Sequence, residues 1–182
     1  PRRQEDAIHE PADEEATTRS IEVDVVREPV AAGVLHGFSP KVARPCDEEQ
    51  RQMLRDRGHD PDALLPIYAR MINTAISDIP PDMRITMHLC RGNYMSLWIA
   101  QGGYEPVAEV LFNQINVHGY FMEFDSDRAG GFEPLRFFPK GSKKQVVLGL
   151  VTTKSPALED VDALRRRIDE AAKFVPLENL CI

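Results

Sequence analysis

Gln145-Val-Val-Leu-Gly-Leu-Val151 is a short run in which only Gln145 carries a polar side chain. Such a run has the character of a strand covered on both faces, and strands of that kind belong to parallel sheets whose crossover helices lie over them. The segments around it agree. Arg84-Ile-Thr-Met-His-Leu89 and Gly119-Tyr-Phe-Met-Glu-Phe124 read as strands, and Leu180-Cys-Ile182 begins another. Between them the apolar spacing becomes helical. Pro106 to Ile115 places Val107, Val110, Leu111 and Phe112 inward, and Ser155-Pro156 opens a last helix with Val161, Leu164, Ile168, Ala171 and Val175 inward. Upstream, Asp47 to Arg57 reads as helix. Asp60-Pro61-Asp62 is a helix start, combining a cap, a first-turn proline and an acid near the positive end of the dipole. Leu64, Leu65, Tyr68, Met71, Ile72 and Ala75 follow as its buried face, and Pro80-Pro81 ends the region. The order strand, helix, strand, strand, helix, strand has one irregular connection, Asp125 to Lys144. It predicts an α/β fold with a parallel sheet or part of a barrel.

The chain has 182 residues, a single domain of medium size and too short for a complete (β/α)8 barrel of about 250 residues. With 29 acidic against 22 basic residues its net charge is −7. An acidic surface repels both nucleic-acid phosphates and anionic membranes, so neither is expected as a partner. No apolar run reaches membrane-span length, and no secretory leader is expected. Three widely spaced cysteines argue against a disulfide framework, and a reducing cytoplasm is the expected location. Residues 1–45 differ in kind from the rest. Glu5 to Glu15 reads as a solvated acidic tail, and Ser20 to Val26 alternates like a half-exposed strand. Gly33, Gly37, Pro40 and Pro45 then break the pattern. This divergent segment is expected to stay out of the core, which residues 46–182 build.

His88-Leu89-Cys90 carries the most chemistry. Residues i and i+2 of a strand face the same side, so imidazole and thiol would project together from the C-terminal end of a strand, where α/β proteins keep their sites. The plainer reading is a buried histidine beside an inert thiol. Glu123 adds weight to the first reading. It sits among Phe121, Met122 and Phe124 near the end of the next strand, where an unpaired carboxylate is costly. Nitrogen, sulfur and carboxylate donors from neighbouring strand ends suit zinc. A salt bridge from Glu123 to Arg91 or Arg128 is the alternative.

Met87-His-Leu-Cys-Arg-Gly-Asn93, Gly119-Tyr-Phe-Met-Glu-Phe-Asp125, Thr153-Lys-Ser-Pro156 and Val175-Pro-Leu-Glu-Asn-Leu180, in that order, resemble the C-terminal catalytic domain of cobalamin-independent methionine synthase. The likeness is strongest to the short, single-barrel bacterial branch and runs from about Cys46 to Ile182. It implies a partial (β/α)8 TIM barrel, its C-terminal half, with parallel strands and outer helices. It also implies zinc as the cofactor, held by His88, Cys90 and Glu123. The expected activity is transfer of a methyl group from 5-methyltetrahydrofolate, often polyglutamylated, to the zinc-activated thiol of homocysteine. By position, Arg91 and Asn93 after the ligand strand and Asp125 in the loop after Glu123 are candidate substrate-binding residues; the plainer reading is a tight βα turn and a solvated loop. Alternatives are alkyl transfer to another thiol such as coenzyme M, or a zinc-binding fragment without activity.

The chain also departs from the family pattern. The family's fourth zinc ligand is a cysteine just beyond the strand that starts at Leu180, whereas this sequence stops at Ile182. Cys181 lies inside that strand and reads as core. His36-Gly-Phe-Ser-Pro-Lys41 stands where the family carries an acidic Asp-Glu-Pro segment. Lys154 occupies the place of the histidine that donates a proton in the long-chain enzymes, and is the candidate for that role. The sequence thus reads as the second half of a barrel, and its exposed edges and inner face predict self-association or a need for the missing half.

Overall fold

A computed structural model describes residues 32–35, 47–89, 101–152 and 155–182. Nine regular elements follow in order: β1 (Ala32–Leu35), α1 (Glu48–Asp56), α2 (Pro61–Ala75), β2 (Arg84–Leu89), α3 (Glu105–Gln114), β3 (Gly119–Glu123), β4 (Gln145–Gly149), α4 (Val161–Ala171) and β5 (Leu180–Cys181). The five strands form one sheet in sequence order β1-β2-β3-β4-β5, and every neighbouring pair is parallel. This is the α/β architecture expected of a partial barrel: parallel strands side by side in chain order, with helices on the outside.

Helix starts follow local chemistry. The Asp47 carboxylate accepts from the Gln50 amide (3.1 Å), Asp60 from Asp62 (3.0 Å), and Asp160 from Ala163 (2.8 Å). Each supplies an acceptor to amides that have no partner in the first helical turn. The Asp160 cap corrects one expectation. The last helix begins at Val161 and not at Ser155-Pro156, and Val161 in its first turn is 59% exposed rather than buried. Met71 of α2 likewise faces solvent, while Leu65, Ala69 and Ile72 are buried. Helical spacing alone allowed a wider buried face than packing uses.

Register divides the sheet into two faces. Met87, Tyr120, Val146 and Leu180 stand on one rung, and Leu89, Met122 and Leu148 on another. All but the half-buried Leu180 are buried, and they form one core with Ile72, Leu111, Phe112, Ala171 and Val175. Each fully buried large apolar side chain contributes about 1.5–3 kcal/mol, so the helix-covered face holds most of the stability. The opposite, inner face carries Thr86, Gly119 and Gln145 on one rung, His88, Phe121, Val147 and Cys181 on the next, then Glu123 and Gly149. Phe121 is 39% exposed and Val147 half-buried. The apolar run at β4 was expected to be covered on both faces. Among the described residues it is covered on one, and the inner face is the side that a closed barrel fills with side chains from its other strands.

Three further differences matter. Cys181 is not core: its thiol lies half-buried on the inner face and donates to Gln145 Oε1 (3.3 Å), and burial pushes its pKa up. The irregular connection from Asp125 to Lys144 is packed, with short 3-10 turns at Asp127–Ala129 and Glu133–Phe137 and with Phe132, Leu135 and Phe138 buried. Ala32–Leu35, inside the segment expected to be irregular, pairs with β2 from Ala32↔Arg84 to Leu35↔Met87. The alternating stretch 20–26 lies outside the described residues. At the N-terminal edge of the sheet, the Asn179 side-chain amide donates to the Ser142 and Lys144 carbonyls (2.9 and 2.8 Å) and so fixes β5 beside β4. Among the described residues no helix is long and apolar enough to cross a membrane.

Candidate functional site

His88 and Glu123 occupy the inner face of adjacent strands. His88 pairs with Phe121, and Glu123 lies two residues further along the same strand on the same side. At about 3.3 Å of rise per residue, the carboxylate springs from a point about 7 Å beyond the His88 rung, toward the C-terminal end of the sheet. Both side chains are half-buried. A ring nitrogen and a carboxylate on one side of neighbouring strand ends, neither sealed in the core, fit a divalent transition metal by donor type and by access. Among the described residues, no group of three His, Cys, Asp or Glu side chains could hold a metal ion. Cys90, the third expected ligand, lies outside the described residues, as do Arg91, Asn93 and Lys154. Asp125 is described and half-buried, two residues past Glu123.

Two residues outside the expected site adjoin Glu123, and a third holds the residue after it. Tyr104 is 1% exposed, and its hydroxyl accepts from the Glu123 amide (2.8 Å) and donates to the Leu89 carbonyl (2.9 Å). Gly149 stands directly opposite Glu123 on β4, and its carbonyl accepts from the Phe124 amide (2.9 Å). Arg167 closes the run Arg165-Arg-Arg167 on α4. Arg165 and Arg166 are exposed, whereas Arg167 is half-buried, donates to the Phe124 carbonyl (3.1 Å) and stacks over Phe132 with its guanidinium carbon 4.8 Å from the ring centroid. Arg167 thus reaches the main chain just past Glu123 from α4, a contact between residues 43 apart in sequence that leaves no local sign. After β4, the Glu159 carboxylate accepts from the Thr152 amide (2.9 Å) and steadies one flank of the segment that carries Lys154. A cavity of about 610 Å³ lies among Ser126, Gly131, Phe132, Arg167 and Phe174; neither His88 nor Glu123 lines it.

A Listeria monocytogenes crystal structure, that of a candidate vitamin-B12-independent methionine synthase, matches 68% of this chain at 38% identity with a TM-score of 0.53, over 34% of its own length. The likeness is to the cobalamin-independent methionine synthase superfamily. The methionine synthase of Pyrococcus abyssi is 27% identical over 118 residues, 65% of this chain and 30% of its own. The uncharacterized Bacillus subtilis protein YxjH is 48% identical over 136 residues, 75% of this chain and 36% of its own. The chain thus spans about a third of the length of the curated relatives it matches. No protein-family model matches it.

Proposed function

We propose that this chain supplies the metal-binding arc of a zinc-dependent methyltransferase of methionine biosynthesis, which moves the methyl group of 5-methyltetrahydrofolate polyglutamate to the thiol of homocysteine. The observation that carries the reading is the placement of His88 and Glu123 on one accessible face at adjacent parallel strand ends, in a chain with this superfamily likeness. His88, Cys90 and Glu123 would hold the metal. A neutral imidazole with two anionic donors offsets the charge of the dication while leaving room for substrate. Zinc, when bound, takes a thiol as its thiolate, which is scarce at neutral pH for a free thiol of pKa about 8.5.

The chain's own residues do the rest. Asp125, just past the ligand strand, binds the amino group of the amino-acid substrate, and Arg91 and Asn93 bind its remaining polar groups. A new sulfur–carbon bond forms as the bond from the methyl group to the pterin nitrogen breaks. Lys154 gives that nitrogen the proton it needs to leave. Because the chain spans about a third of its relatives, a second reading is that it binds zinc but turns over substrate only together with the rest of the barrel.

The test is zinc content after dialysis against a weak chelator, for the wild-type chain, Cys90→Ser and Glu123→Gln. About one zinc per chain, lost in both variants, supports the ligand set and calls for a homocysteine methylation assay. A folded wild-type chain that retains no zinc refutes it.

A further inference from the structure

We propose that the buried Tyr104 hydroxyl is the positioning group for Glu123: it clamps the last rung between β2 and β3 and thereby fixes where the carboxylate stands. The inference rests on the reading of Glu123 as a metal ligand and adds a residue to it. The Glu123 amide and the Leu89 carbonyl face each other at the end of the β2–β3 ladder, one step beyond the Leu89↔Met122 pair. Strand ends fray because the next rung is missing. Here one hydroxyl takes both groups at 2.8 and 2.9 Å, using its lone pair for the amide and its proton for the carbonyl. With its amide held, the Glu123 backbone cannot swing away from the inner face.

Tyr104 departs from local rules to do this. It is the N-cap residue of α3, a position that favours a short acceptor side chain, yet its side chain makes no capping hydrogen bond. Its ring instead runs through the core, edge-to-face against Phe124 at 5.4 Å between centroids. The stretch before it is held to the loop after β3, since the Gly102 amide donates to the Arg128 carbonyl (3.2 Å). A residue that forgoes a local cap in order to reach a strand end carrying a candidate ligand is the kind of local inconsistency that marks functional sites. Partners behind a metal ligand commonly change metal affinity 10- to 100-fold.

The experiment compares zinc affinity, by competition with a chromogenic chelator, and thermal midpoint for the full chain, Tyr104→Phe and Phe124→Leu. Tyr104→Phe keeps the ring and loses only the hydroxyl; Phe124→Leu softens the same patch of core, including the edge contact to the Tyr104 ring, but keeps the hydroxyl. The expected result is zinc affinity about tenfold weaker or worse in Tyr104→Phe, and within about threefold of wild type in Phe124→Leu. Wild-type affinity in Tyr104→Phe overturns the proposal, as does an equal loss in both variants at equal destabilisation. Absence of zinc from the wild-type chain overturns the ligand reading itself, and this proposal with it. Should Tyr104→Phe fail to fold, amide exchange in the wild-type chain decides: zinc must slow the Glu123 amide about tenfold while leaving Val146 unchanged, and an unchanged Glu123 refutes the clamp.

Discussion

Gly149→Ala is the sharpest test of how closely the strands must approach at the site. A methyl group on Gly149 would stand 2.9 Å from the Met122 carbonyl oxygen and 3.5 Å from the Glu123 Cα. Ordinary contact begins near 3.4 Å, so β3 and β4 must part by about 0.5 Å, because the obstructing atoms are main chain and cannot rotate aside. The Phe124 amide to Gly149 carbonyl bond, 2.9 Å, is stretched by the same movement. Overpacking of this kind costs about 1–3 kcal/mol, and alanine returns about 0.4–1 kcal/mol by restricting the unfolded chain. The expected net loss is about 1–2 kcal/mol, which at about 2–4 °C per kcal/mol lowers the thermal midpoint by about 2–8 °C. A displacement of about 0.5 Å is also the limit within which a constellation of ligands stays productive, so zinc affinity should fall about tenfold. Thermal unfolding and chelator competition on one preparation measure both. An alanine variant as stable as wild type, with unchanged zinc affinity, would refute the argument that Glu123 needs a neighbour without a side chain.

Two further outcomes follow from the structure. The Lys144 ammonium donates to the Phe112 and Ile115 carbonyls at the end of α3 (3.1 and 2.7 Å) and to the Tyr120 hydroxyl (2.9 Å). Lys144→Met leaves Ile115 its Tyr120 hydroxyl (3.2 Å) but takes the ammonium from Phe112, for a loss of about 1–2 kcal/mol in denaturant unfolding. Burial holds the Lys144 pKa below its ordinary 10.5, so the charged form is a net penalty at neutral pH. That penalty disappears as pH rises through the folded pKa toward 10.5; this group therefore adds stability over that window, and the methionine variant should lack the rise. On the inner face, Phe121 and Val147 lie partly open to solvent. Sedimentation of the 182-residue chain should show self-association that Phe121→Lys weakens, whereas a concentration-independent wild-type monomer would argue against an uncovered barrel interior.

The strands at β2 through β5 and the helices at α1 through α3 were legible because their signals are local. Asp47 and Asp60 announce helix starts, and short apolar runs separated by helical spacing announce a parallel sheet. His88 and Glu123 were legible for the same reason, as polar residues placed near the ends of apolar strands. Periodicity failed where two faces of a helix were both apolar enough to be buried. Met71 and Val161 fit the pattern yet are 48% and 59% exposed. Arg167 went unread because its partners, Phe124 and Phe132, are distant in sequence and meet it only after a crossover.

By itself, then, the amino-acid sequence determined the alternation of elements, the parallel sheet and the placement of His88 and Glu123 near neighbouring strand ends, because hydrophobic period and capping act over a few residues. Tertiary structure alone decided which sheet face the helices cover, since register across β2, β3 and β4 sets that. It also placed the Tyr104 hydroxyl and Gly149 around Glu123. Neither contact has a local signature, because a hydrogen bond from a helix cap to a strand end, and a close approach of two backbones, exist only once distant segments have packed together.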